Sequence, residues 1–277
     1  LIGNNITKYL ISKKIKIYPV VRLKKKKFIK NLNFLYCNNL NSKKSLRKII
    51  YIINKIKPNF IINCMGITKH KKNKKNKTLN IYLPKIILEN KNKLNYKFIH
   101  ITTDCVFNGK KGYYKEDFIP NAKDRYGASK AITDKLLNNY NNVIILRTST
   151  IGYEINNKYS LLEWFLSQKN FCFGFKNAYF SGPTALELSK IIYKFIIKKQ
   201  LIKKGLYHIA GPRISKYNLL KIVKEIYDKN IYIRPNYKLK IDRSLNSSKF
   251  FNVSKYKKLS WNKMLKENKK FYAKKYI

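Results

Sequence analysis

The chain is short of several things. Among 277 residues there are only 13 Asp and Glu, and none before Glu89. Gly, Ala, Pro and Arg, whose codons are rich in G and C, together supply only 31 positions. Four cysteines, Cys37, Cys64, Cys105 and Cys172, stand far apart with no CxxC pair, and His70, His100 and His208 have no metal-ligand spacing. That excludes a disulfide scaffold and a zinc module, and predicts reduced thiols, no metal and a cytoplasmic location. No apolar run approaches the roughly 20 residues that cross a bilayer, and the first residues carry no signal-peptide core.

Set against these shortages is a formal net charge of +49. On its face this points to a polyanion partner. Yet Lys, Asn, Ile, Tyr and Phe supply 163 of the 277 positions, and all five are written by codons that open with A or T at both leading positions. Only seven of the 62 basic residues are Arg, the side chain suited to bidentate phosphate contact. The charge is therefore read as codon bias on tolerant surface positions, with no nucleic-acid partner, and the run 69–77 as a solvated loop. With 44% hydrophobic residues the chain has enough to bury a core.

Helical and strand patterns alternate. Helices are predicted over 5–14, 45–57, 78–90 and 125–140, and strands over 15–21, 60–64, 97–103 and 143–148. This order predicts an α/β fold with a Rossmann-type parallel sheet and helices on both faces, whose ligands bind beyond the carboxyl ends of the strands. Pro84 marks a first turn or a kink. Ser160 to Glu163 and Thr184 to Glu187 have capping-box spacing, GLYHIAG (205–211) returns a strand to the sheet, and 215–229 and the tail after Lys255 read as helices. The organisation expected is a larger domain over 1–152, rejoined by 184–211, and a smaller, mostly helical part from 153–183 and 212–277; the family resemblance carried by the motifs that follow implies that the first binds a dinucleotide and the second the substrate.

Five of the thirteen acids, Asp104, Glu116, Asp117, Asp124 and Asp134, and three of the ten glycines fall between Ile101 and Asp134. In that stretch Tyr126 and Lys130 stand one helical turn apart, where an ammonium would lower a phenol pKa toward the working range of a proton donor. Upstream, a strand ends in Thr102-Thr103-Asp104-Cys105-Val106-Phe107-Asn108-Gly109.

These motifs, with Asn63-Cys64-Met65-Gly66, Asn80, LRTSTIG (146–152) and FSGPT (180–184), resemble the extended short-chain dehydrogenase/reductases and, among them, the dTDP-4-dehydrorhamnose reductase family. The resemblance implies NADPH-dependent reduction of the C4 ketone of a nucleotide-linked 4-keto-6-deoxyhexose for surface polysaccharide synthesis. In that pattern Thr103, Tyr126 and Lys130 are catalytic. Gly3, Arg22, Asn63, Cys64, Met65, Gly66 and Asn80 bind cofactor together with Tyr126 and Lys130, and Asp104, Val106 and Phe107 meet the substrate. Arg22 in place of an acid points to NADPH over NADH. Gly3 aligns with the last glycine of the family's GxxGxxG, and the first strand and first two glycines are absent from the sequence, which reads as an incomplete N-terminus. Pocket shape is expected from Trp164, Phe173 to Phe175 and Phe180, and the resemblance is compatible with a homodimer. Three other readings stand beside the reductase. They are a silent or regulatory subunit of the same fold, an epimerase or dehydratase of the same superfamily, and a basic polyanion-binding protein.

Overall fold

In the computed structural model the described residues are 1–21, 34–37, 42–66, 78–89, 95–154 and 158–273. The chain opens with helix α1 (Ile2–Ser12), strands β1 (Val20–Val21) and β2 (Leu35–Tyr36), helix α2 (Lys43–Ile56) and strand β3 (Phe60–Asn63). A π-helical turn (Thr78–Tyr82) runs into α3 (Leu83–Glu89), and Pro84, the second residue of α3, has no N–H to donate back into that turn. Then follow β4 (Lys97–Thr103), α4 (Arg125–Leu137) and β5 (Val143–Thr148).

Strands β3, β4 and β5 are parallel neighbours, joined on the far side by β8 (Gly205–His208), the returning strand read from GLYHIAG. Strand β5 is buried along its whole length, as a parallel strand covered by helices on both faces must be. One face packs Ile49, Ile53, Leu83 and Ile87 from α2 and α3 against Phe98 and Ile145. The other packs Ile6 and Leu10 of α1, with Leu188 and Ile191 of α6 (Ala185–Ile191), against Ile99, Ile101, Ile144 and Leu146.

The expected strand over 15–21 is realised only at Val20 and Val21, which pair with Leu35 and Tyr36 and not with the main sheet. Between this pair and β3 lies an apolar cleft of about 1120 Å³, bordered by Ile6, Leu10, Ile17, Val20, Ile53 and Ile61. Residues 15–19 have an apolar pattern but border open space, so no ladder forms along them.

The rest of the chain adds α5 (Leu161–Ser167), β6 (Phe171–Phe175) and β7 (Ala178–Phe180) before α6. After β8 come β9 (Ile214–Ser215), α7 (Lys216–Ile226), β10 (Tyr232–Asn236), β11 (Ile241–Asp242), α8 (Ser248–Ser254) and α9 (Trp261–Ala273). Both capping boxes do what their spacing predicts: Ser160 Oγ accepts from the Glu163 amide and Thr184 Oγ1 from that of Glu187. Leu162, Phe165, Leu219, Val223, Trp261 and Leu265 form a separate core. This region is less helical than its sequence suggests, since β6 pairs with β10 and β7 lies between β9 and β11. No helix among the described residues is long and apolar enough to cross a membrane.

Candidate active site

Strand β4 delivers Thr103 at its carboxyl end, where the chain turns through a short 3₁₀ segment, Asp104–Val106. The Thr103 hydroxyl accepts from the Cys105 amide at 3.1 Å and lies 3.2 Å from Asp104 Oδ1. Helix α4 starts beside it, capped by Asp124, whose Oδ1 accepts from the Gly127 amide at 2.9 Å. Gly127 permits the contact between helix and loop. A Cβ there would lie 2.2 Å from the Cys105 carbonyl oxygen, so any side chain would push the first turn of α4, and Tyr126 with it, away from Thr103.

Tyr126 keeps part of its surface open, and its phenol faces Thr103. Burial pushes its pKa well above the usual phenol value; Cys105, Asp104 and Asp124 add to the rise, and the Thr103 side chain opposes it. The expected lowering by Lys130 is therefore corrected. Desolvation beside acidic neighbours dominates, and the phenol holds its proton.

One turn on, Lys130 is buried, and desolvation lowers its pKa while Asp134 and Cys64 oppose the fall. It faces the turn after β3. A Cβ on Gly66 would lie 3.2 Å from Lys130 Nζ and 3.1 Å from Asn80 Oδ1. Asn80, on the π-helical turn, donates from Nδ2 to Ser129 Oγ at 3.0 Å, and its carbonyl accepts from the Thr133 hydroxyl at 2.7 Å, so the turn is tied to α4. Asn63 Nδ2 donates to His100 Nδ1 and Asn63 Oδ1 accepts from the Met65 amide, each at 3.0 Å. Burial drives the Cys64 thiol up to about 12, so it is an inert wall, and Gly3 in the first turn of α1 packs against it.

The structure thus gathers Gly3, Asn63, Cys64, Met65, Gly66, Asn80, Thr103, Tyr126 and Lys130 around the amino end of α1 and the carboxyl ends of β3 and β4. Arg22 and the run 69–77 lie outside the described residues. Val106 and Phe107 require a correction. Both side chains are fully buried, sealed with Tyr114, Ala210 and Leu245, so they support the wall of the site and do not present a surface to a ligand. Asp104 is also buried, its carboxylate turned to the Thr103 hydroxyl.

Residues outside the expected set complete the site. Ser129 links α4 to Asn80, and Arg243 Nε donates to the Phe107 carbonyl at 2.9 Å. Arg147 and His208 form a buried polar layer behind it. Among the described residues no group of three or more His, Cys, Asp or Glu could hold a metal. A dinucleotide fits better. Gly3 stands in the first turn of α1 and the exposed Gly66 follows β3, so a helix N-terminus lies beside the strand end, the arrangement that accepts a pyrophosphate.

The parallel sheet with helices on both faces is the fold expected from the resemblance to the extended short-chain dehydrogenase/reductases. Residues 1–257 match the RmlD substrate binding domain model, and the chain belongs to that family of NAD(P)-dependent sugar-nucleotide enzymes. No curated protein matches it significantly. Among solved structures it resembles a hypothetical dTDP-4-dehydrorhamnose reductase from Sulfolobus tokodaii, with 23% identity, 94% of each chain covered and a TM-score of 0.75. The NADP complex of the Bacillus anthracis dTDP-4-dehydrorhamnose reductase is 18% identical over 88% of this chain and 90% of that one, with a TM-score of 0.73. A UDP-glucose 4-epimerase from Thermotoga maritima, solved with UDP-glucose, is 19% identical over 99% and 96%, with a TM-score of 0.79. At these identities the structures attest the fold.

Proposed function

We propose that this protein is an NADPH-dependent reductase of the C4 ketone in a nucleotide-linked 4-keto-6-deoxyhexose. The observation that carries the reading is the meeting of Thr103 and Tyr126 at the carboxyl end of β4, with Lys130 one turn deeper facing Gly66 and Asn80. When bound, the nicotinamide supplies a hydride to the ketone carbon. Negative charge then grows on the ketone oxygen and needs both a donor and a proton. Thr103 donates a hydrogen bond to that oxygen, and Tyr126 gives up its phenol proton to it. A phenol held protonated by burial is in the right state to donate. Lys130 holds the nicotinamide ribose through its ammonium. Gly3, Asn63, Cys64, Met65, Gly66 and Asn80 line the cofactor side, and Arg22, directly after the β1 pair, takes the adenosine 2′-phosphate.

The test is NADPH oxidation with a panel of nucleotide 4-keto-6-deoxyhexoses, wild type against Tyr126→Phe. Turnover should fall by about 10³-fold with NADPH affinity preserved. Undiminished turnover in the variant would remove Tyr126 from the chemistry. An epimerase using the same residues would interconvert sugars without net consumption of NADPH, so stoichiometric oxidation decides between the two.

A further inference from the structure

Behind the site lies a polar layer that the proposed reaction leaves without a task. Arg147, on β5, is buried to 2% exposure, and so is its partner Asp134 on α4 to 3%. Guanidinium Nε and Nη2 both donate to Asp134 Oδ2, at 3.1 and 2.9 Å. The far edge of the same guanidinium reaches His208 on β8, with Nη1 3.0 Å from Nε2. His208 Nδ1 is 2.9 Å from the Tyr114 carbonyl, so it carries the proton and Nε2 accepts from Arg147. The guanidinium carbon also lies 5.1 Å from the centre of the Phe107 ring, which stacks on Tyr114 at 4.0 Å. Asp134 stands one helical turn beyond Lys130, on the same face of α4. A single buried cation therefore touches both the helix that presents Tyr126 and Lys130 and the aromatic wall of the loop that follows Thr103.

We propose that Asp134 and Arg147 are positioning residues: their ion pair holds Lys130 on one side of the site and the Phe107–Tyr114 wall on the other. The inference rests on the role given to Lys130 under the proposed function. Removing a buried charge from water is costly, and a pair of this kind is often replaceable by apolar groups without loss of stability. Its place beside a lysine that must stay charged points to electrostatic work. The groups that face Lys130 are Tyr126 and Asp134 on its own helix, Asn80 on the π-helical turn, Cys64 after β3 with the Leu1 amino group beyond it, and His100 on β4; Arg147 stands behind Asp134. Asp134 is the anion among them that supports the ammonium against desolvation.

The pair predicts responses of opposite sign. Asp134→Asn leaves Arg147 as an uncompensated cation, so Lys130 loses its proton more readily. Arg147→Met leaves the Asp134 carboxylate unshared, so Lys130 holds its proton longer. The measurement is NADPH affinity of the full chain by fluorescence titration from about pH 6 to about pH 10, where loss of the Lys130 charge weakens binding. The alkaline loss of affinity should move down by about one pH unit in Asp134→Asn and up by a similar amount in Arg147→Met. The double variant, Asp134→Asn with Arg147→Met, should fold even where a single one does not, and return the limb to near its wild-type position. A merely structural pair would weaken binding in both single variants with no shift or shifts of one sign. That result, or a wild-type profile flat across the range, overturns the proposal. Failure to reduce any 4-keto sugar would instead sink the substrate assignment and leave the titration result standing.

Discussion

From Lys97 to Thr148 the chain closes tightly around its polar groups, whereas from Leu1 to Gly66 it surrounds an open apolar cleft. On the first side Thr103, Asp104, Asp134 and Arg147 are buried and bonded within β4, α4 and β5. On the second, β1 and β2 stand apart from the main sheet, and apolar side chains such as Ile17 and Ile61 remain partly exposed. The groups proposed for proton transfer are thus held on rigid, filled structure, and the cofactor wall is the softer of the two. Small changes on the first side should be costly in rate, and equally small ones on the second should be absorbed.

Gly127→Ala strikes the filled side hardest. Its methyl must displace the Cys105 carbonyl, and a displacement of about 1 Å at Tyr126 is enough to lower kcat by about 100-fold. Steady-state kinetics beside an NADPH titration separate this from lost binding, and an unimpaired kcat would show that the loop is not the rigid wall described.

Acid exposes the same side next. His208 is buried, and burial followed by the nearby Arg147 cation lowers its pKa to about 3. In the unfolded chain it titrates near 6.5, so between those values the unfolded state binds the extra proton. The stability that depends on neutral His208 is complete above about pH 6.5 and is lost as pH falls toward 3, by about 2 kcal/mol at about pH 5. Urea midpoints across that window should fall in the wild type and stay flatter in His208→Gln. Equal slopes would mean that His208 is not held neutral.

Across the crevice, Gly66→Ala tests the softer wall. A methyl there meets Asn80 Oδ1 and Lys130 Nζ at 3.1 and 3.2 Å, a conflict that a flexible lysine end relieves by moving slightly. NADPH affinity should weaken by about 10-fold, with kcat at saturating cofactor much less affected. If kcat falls as far as in Gly127→Ala, the two walls are equally rigid.

What the sequence disclosed follows the same division. Local signals read well: Ser160 and Thr184 cap their helices through contacts three residues away, and Lys97 to Thr103 and Val143 to Thr148 are strands because nearly every side chain in them is buried. The enrichment of acids between Ile101 and Asp134 marked the candidate site, and those residues hold specific places, Asp124 as a helix cap and Asp134 as a counter-ion. Partnerships between distant elements stayed hidden. Nothing near Val106 or Phe107 says that Tyr114 and Leu245 will enclose them, and the short strands β6, β7 and β9 to β11 owe their pairing to tertiary neighbours. One cue for Arg147 was available. In a chain that writes Lys almost everywhere, an Arg inside the apolar run VIILRT is a choice against the bias, and it marks a site where a planar fork is needed.

The finest comparison removes one methyl group from each region. Ile145 on β5 is fully buried between helices, and Ile145→Val should cost about 1 kcal/mol, since the missing methyl leaves a void that close packing cannot collapse. Ile61 on β3 borders the cleft and is partly exposed, so the same deletion there removes contacts on one side only and should cost less than about half as much. Urea midpoints at unchanged m-value give both numbers. Equal costs would mean that Ile61 is as closely surrounded in solution as Ile145, and the cleft beside β3 would then be filled there.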